Sequence, residues 1–157
     1  MKWQFCLATV VLGSAATPAL SDTAPSATVF HEGAIEMSLS GKPGDPVAGV
    51  KVMTTNALGN CVACHQISKL PEVSFQGNIA PPLDGVADRY SEAQLRGIVA
   101  NAKMTFQGSF MPAFYKTDGY VRPGNGYTGK APEGPLPPIL NAQQIEDVVA
   151  YLLTLKE

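Results

Sequence analysis

Cys61-Val62-Ala63-Cys64-His65 spells C-x-x-C-H, the pattern by which a haem is attached covalently to a polypeptide. Two thiols three apart on one helical turn can add to the two vinyl groups on one edge of the macrocycle, and the adjacent imidazole then reaches the iron. Five residues thus set cofactor, tether and proximal ligand together: Cys61 and Cys64 anchor one haem c, and His65 is its axial ligand. Rival uses of these cysteines are weaker. A structural zinc site needs about four N or S ligands, and beyond the motif the chain offers only His31 and Cys6. A thioredoxin-like pair belongs at the start of a helix in an alternating strand and helix pattern, which the flanking sequence lacks. Two merely buried cysteines would leave the adjoining histidine unexplained.

Upstream, residues 1–21 read as a secretory signal peptide: Lys2, an uncharged run over 5–16, then Pro18 and small residues. A helix needs about 20 apolar residues to span a bilayer core of about 30 Å, so this run predicts export without membrane insertion. Ala19 and Ser21 are small at the two positions a signal peptidase reads, which places cleavage before Asp22. Cys6 leaves with the leader, so the mature chain keeps only Cys61 and Cys64 and has no thiol for a disulfide. Export and haem attachment agree, because c-type haem is fixed to thiols outside the cytoplasm in bacteria; the expected location is the periplasm. The remainder is long enough for one domain with one core. It divides into an extended N-terminal arm, 22–44, and a domain over 45–157. Net charge is −2 with no basic run, which argues against a nucleic-acid partner. Fifteen Gly and 13 Pro predict long irregular loops around the core.

Within the domain, Asp45 as N-cap and Pro46 at the first helical position open a helix running to about residue 55, with Val47, Val50 and Met53 on its apolar side. Gly49 in its middle costs about 0.5–1 kcal/mol relative to alanine, which predicts that another backbone packs closely there. In Ile79-Ala80-Pro81-Pro82-Leu83, the prolines leave carbonyls free. A ligating histidine needs an acceptor for its second ring nitrogen, and the Pro81 carbonyl is the expected partner of His65. Ser91 and Gln94 form a capping box for a helix whose apolar face is Leu95, Ile98, Val99 and Ala102. The aromatic stretch over 105–115 contains Gly108 and Pro112 and reads as a buried loop. A thioether on the distal side would raise the reduction potential and close the site to electron transfer alone. Met111 is the expected sixth ligand; Met104, Met53, Met37 and His31 are the alternatives. Five glycines and five prolines in 117–138 argue for an irregular loop. Asn141 and Gln144 cap a last helix whose stripe of Ile145, Val148, Val149, Leu152 and Leu155 should pack across the N-terminal helix.

This order of helix, C-x-x-C-H, proline-leucine segment, helix, Met-Pro loop and apolar last helix resembles the all-α class I cytochrome c fold, with haem enclosed by short helices and long loops. Within that fold, Gly59 to His65, Gly77 to Ala87, Met111 to Tyr115 and Ile139 to Leu152 are similar to the SoxX family of monohaem cytochromes. Ala80 departs from the pattern, since many relatives of the fold have glycine before the proline. The resemblance implies a heterodimer with a SoxA-like cytochrome subunit in the SoxAX complex of sulfur oxidation. That complex links thiosulfate oxidatively to a cysteine of the carrier protein SoxYZ, as an L-cysteine S-thiosulfotransferase. With no spare cysteine, this chain would serve as the non-catalytic electron-transfer subunit and pass electrons to a downstream acceptor. A free-standing periplasmic electron carrier is the second reading, although such carriers more often ring the haem edge with charges for docking. A haem enzyme with an open distal site is the third, and it requires Met111 not to bind.

Overall fold

The computed structural model of the chain describes residues 21–157, so the leader read over 1–21 lies, but for its last residue, outside the described residues, and so does Cys6. Four α-helices carry the described part: α1 Pro46–Thr54, α2 Val86–Arg89, α3 Glu92–Asn101 and α4 Ala142–Leu152. Among the described residues there is no strand, only an isolated antiparallel bridge between His31 and Ala34.

Capping chemistry fixes the helix starts. The Asp45 carboxylate accepts from the Val47 amide at 2.8 Å, with Pro46 following at a position whose missing N–H costs nothing. Ser91 and Asn141 each form the full reciprocal box, with Gln94 and Gln144 returning the bond to the cap's amide. The stripe on α4 is buried throughout, from Ile145 to Leu155. On α3, Leu95, Val99 and Ala102 are buried as the spacing predicts, Ala102 beginning the 3-10 turn Ala102–Met104 that extends the helix.

On α1 the expected apolar side is turned. Val47 is 77 % exposed, and the buried residues are Gly49, Val52 and Met53. The reason lies at Gly49: a Cβ there would stand 2.1 Å from the carbonyl oxygen of Asp147 and 3.0 Å from Cβ of Tyr151. Helix α1 therefore meets α4 backbone to backbone at this glycine, and that contact outranks the valine spacing in choosing which face turns inward.

The arm over 22–44 is irregular but held fast. Ala34, Ile35, Leu39 and Ser40 are buried, and its bonds run to several elements: Ile35 N–H donates to the Ala93 carbonyl at 3.0 Å, Leu39 N–H to Glu146 Oε1 at 2.7 Å, and the Pro43 carbonyl accepts from Gln143 Nε2 at 3.0 Å. Beneath the arm lies a charge cluster of which the sequence periodicity gave no sign. Arg96 and Glu146 are 3 % and 4 % exposed. Nε of Arg96 lies 3.0 Å from both carboxylate oxygens of Glu146, Nη1 donates to the Ile35 carbonyl at 2.9 Å, and Nη2 pairs with Glu92. Thus α3, α4 and the arm share one buried guanidinium.

Candidate haem site

The C-x-x-C-H stretch begins in a 3-10 turn, Cys61–Ala63, entered through Asn60 in a left-handed conformation. The His65 amide donates to the Cys61 carbonyl at 2.9 Å, so the two cysteines and the histidine share one turn. Next to this turn the backbone of Gly77 comes so close that a Cβ there would lie 2.1 Å from the Ala63 carbonyl oxygen, and the Gly77 amide donates to Val62 at 2.8 Å. Any larger residue at 77 would push the proline segment away from the turn.

That segment completes the histidine's surroundings. His65 Nδ1 lies 2.7 Å from the Pro81 carbonyl oxygen. A carbonyl only accepts, so Nδ1 carries the ring proton and Nε2 keeps its lone pair; a second-sphere acceptor of this kind fixes tautomer and ring orientation. The segment is itself tied down from several sides. Ala80 N–H donates to the Cys64 carbonyl at 3.0 Å and Leu83 N–H to the Gln66 carbonyl at 2.9 Å. Arg89, on α2, donates to the carbonyls of Asp84 and Pro82 at 2.7 and 3.2 Å. Ala80 is not among the residues with positive φ, so alanine sits there without backbone strain.

Above the turn opens a cavity of about 540 Å³, inside the range of small-molecule sites. Cys61 and His65 are in its wall, with Ile79 to Leu83 on one side, Leu95, Ile98, Val99 and Ala102 of α3 on another, and Val148 and Leu152 of α4 behind. The loop from Phe106 to Met111 forms the remaining side. Burial against these apolar groups pushes the Cys61 thiol up to about 12, so an unattached Cys61 stays a neutral thiol. Cys64 is half-buried on the same turn but is not part of the cavity wall.

The methionines sort themselves by position. Met111 and Met53 line the cavity, whereas Met104 and Met37 are exposed and do not. His31 lies on the arm beside Glu32, Glu36, Ser91 and Gln94, away from this cavity. Met53 is 0 % exposed and packs in the core on α1; Met111 stands on an irregular loop and is only half-buried. Sequence reasoning overlooked Arg89 and Lys103. Lys103 donates from Nζ to the Met111 carbonyl at 2.6 Å. Neither position shows periodicity, and long cations in polar stretches read as surface.

The residues present fit a covalently held planar macrocycle: one side of the apolar cavity offers a thiol and an imidazole with a free Nε2, and the loop side offers a thioether. Comparison with known proteins agrees. The chain matches the cytochrome c family over residues 46–156. A comparison with curated protein sequences gave no match. Among solved structures, a chain of SoxXA from P. pantotrophus is 72 % identical, with a TM-score of 0.84 over 87 % of this chain and 100 % of that one. Identity at that level over the whole of the relative carries more than the fold, and with it the chain belongs to the cytochrome c family, as a SoxX cytochrome with the class I fold that binds haem c covalently.

Proposed function

We propose that this chain is the electron-accepting subunit of a periplasmic thiosulfate-oxidising complex, built with a SoxA-like cytochrome and acting on the carrier SoxYZ. The observation that carries this reading is the 72 % identity to a chain of a SoxXA complex, spanning all of that chain. Forming a bond between a protein thiol and thiosulfate releases two electrons and a proton. The described residues hold only Cys61 and Cys64 as cysteines, both needed as tethers, so the sulfur chemistry belongs to the partner.

In this reading Cys61 and Cys64 would hold a single haem c, and His65 and Met111 would supply its two protein ligands to iron. When bound, that group supplies a one-electron acceptor and donor. The chain's own residues set the conditions for it. Pro81 keeps the His65 ring in one tautomer, a thioether from Met111 favours the reduced state, and the apolar wall excludes water and raises the potential further. Arg89 stands at the cavity wall and suits the carboxylates of a haem. The electrons this chain accepts would pass to a downstream acceptor. The leader over 1–21 and the need for haem attachment outside the cytoplasm support the periplasmic location; no helix among the described residues is long and apolar enough to cross a membrane.

Two measurements test this. Purified ferric protein should show the weak far-red absorption band of methionine ligation, and Met111→Ala should abolish it and lower the reduction potential, while Met53→Leu keeps both. A band that survives Met111→Ala removes Met111 from the site. Purification from the native periplasm should retain a second cytochrome subunit and support thiosulfate-dependent haem reduction only in the presence of that subunit and SoxYZ. A chain that isolates as a monomer and never retains a second cytochrome is instead a free electron carrier.

A further inference from the structure

The two sides of the cavity are built with unequal care. On the His65 side, backbone bonds from Ala80 and Leu83 and side-chain bonds from Arg89 hold the proline segment. On the Met111 side, residues 110–113 make no backbone–backbone hydrogen bond among the described residues; the loop is anchored before them by Ser109 N–H to the Phe106 carbonyl, and after them by Leu140 N–H to the Phe114 carbonyl and Tyr115 N–H to the Ala100 carbonyl. Between those anchors, among the described residues, two side chains hydrogen-bond to the loop's backbone. Ser109 Oγ accepts from the Met111 amide at 3.3 Å, and Lys103 Nζ donates to the Met111 carbonyl at 2.6 Å. Lys103 is itself well placed: it lies in the 3-10 turn after α3, and its own amide donates to Asn101 Oδ1 at 3.3 Å. It forms no ion pair among the described residues, and the Met111 carbonyl is the acceptor its ammonium meets there.

We propose that Lys103 is the positioning residue of the distal loop: its bond to the Met111 carbonyl keeps the loop closed over the cavity and sets the fraction of time the Met111 sulfur occupies the distal side. The inference rests on Met111 being the distal ligand. An external ligand can enter only when the loop is open, so its apparent affinity is divided by the closing equilibrium. A weaker latch means tighter external binding. The donor matters, and the charge density of the group is secondary, so arginine can replace lysine whereas methionine, similar in length but with no donor, cannot.

The test is imidazole titration of the ferric, haem-loaded chain, with any copurifying partner kept in place, for the wild type, Lys103→Met and Lys103→Arg. Lys103→Met should bind imidazole roughly three- to tenfold more tightly, the range a solvent-exposed hydrogen bond supplies. Lys103→Arg should stay within about twofold of the wild type on the same argument. Both variants should keep the wild-type melting temperature, because the side chain is exposed. The far-red band of the wild type separates the two readings. If it is present and Lys103→Met binds imidazole like the wild type, or if Lys103→Arg binds it as tightly as Lys103→Met, the latch is wrong and the ligand stands. If it is absent in the wild type, the Met111 assignment falls and the latch with it.

Discussion

Arg96→Ala should destabilise the protein by about 3–5 kcal/mol, the cost of stranding one member of a buried ion pair. Glu146 would remain 4 % exposed with only the Leu39 amide at 2.7 Å to satisfy its carboxylate, and the Ile35 carbonyl would lose its donor. For a chain of this size the loss corresponds to a melting temperature lower by roughly 10–20 °C, read by circular dichroism on the haem-loaded protein. Replacing both members, as in Arg96→Met with Glu146→Leu, removes the stranded charge. It still leaves the Leu39 amide and the Ile35 carbonyl without partners, at about 1–3 kcal/mol each. The double variant should therefore recover part of the stability and not all of it. If Arg96→Ala melts within a few degrees of the wild type, the arm is not held by this cluster.

Gly49→Val should cost about 3 kcal/mol or more. Two terms oppose each other here. A side chain in a helix interior gains up to about 1 kcal/mol over glycine for alanine and less for a β-branched residue. Against this, the first carbon added would stand 2.1 Å from the Asp147 carbonyl oxygen. That neighbour is backbone and cannot swing aside, so α1 and α4 must separate, and overpacking of this kind costs about 1–3 kcal/mol even for small insertions. The steric term wins. Gly49→Ala should lose about 1–2 kcal/mol on the same reckoning. The damage reaches the haem cavity as well, since Met53 of α1 and Val148 and Leu152 of α4 are in its wall; the Gly49→Val protein should bind imidazole more readily than the wild type. A stable Gly49→Val protein with unchanged ligand affinity would refute the close crossing.

Local chemistry was legible residue by residue. C-x-x-C-H specifies its turn and its cofactor within five positions, and the bonds that make helix N-termini at Asp45, Ser91 and Asn141 join residues two or three apart. The single-sided stripe of α4 declares its buried face because the helix packs along its full length. Met111, on an irregular loop, came from the chain as a candidate only because an iron held by one histidine would leave one position to fill; the cavity is lined by Met111 and Met53 and not by Met104 or Met37. What the sequence by itself determined was therefore the covalent haem, the starts of α1, α3 and α4, the all-α class and a short list of candidate axial ligands. The tertiary structure alone decided which face of α1 turns inward, because that depends on Gly49 meeting a carbonyl 98 positions later, at Asp147. It alone buried Arg96 with Glu146, 50 residues apart, and brought Lys103 onto the Met111 carbonyl. Those pairings carry no periodic signature, since each is made by side chains whose own segments read as ordinary helix surface or loop until the chain folds them together.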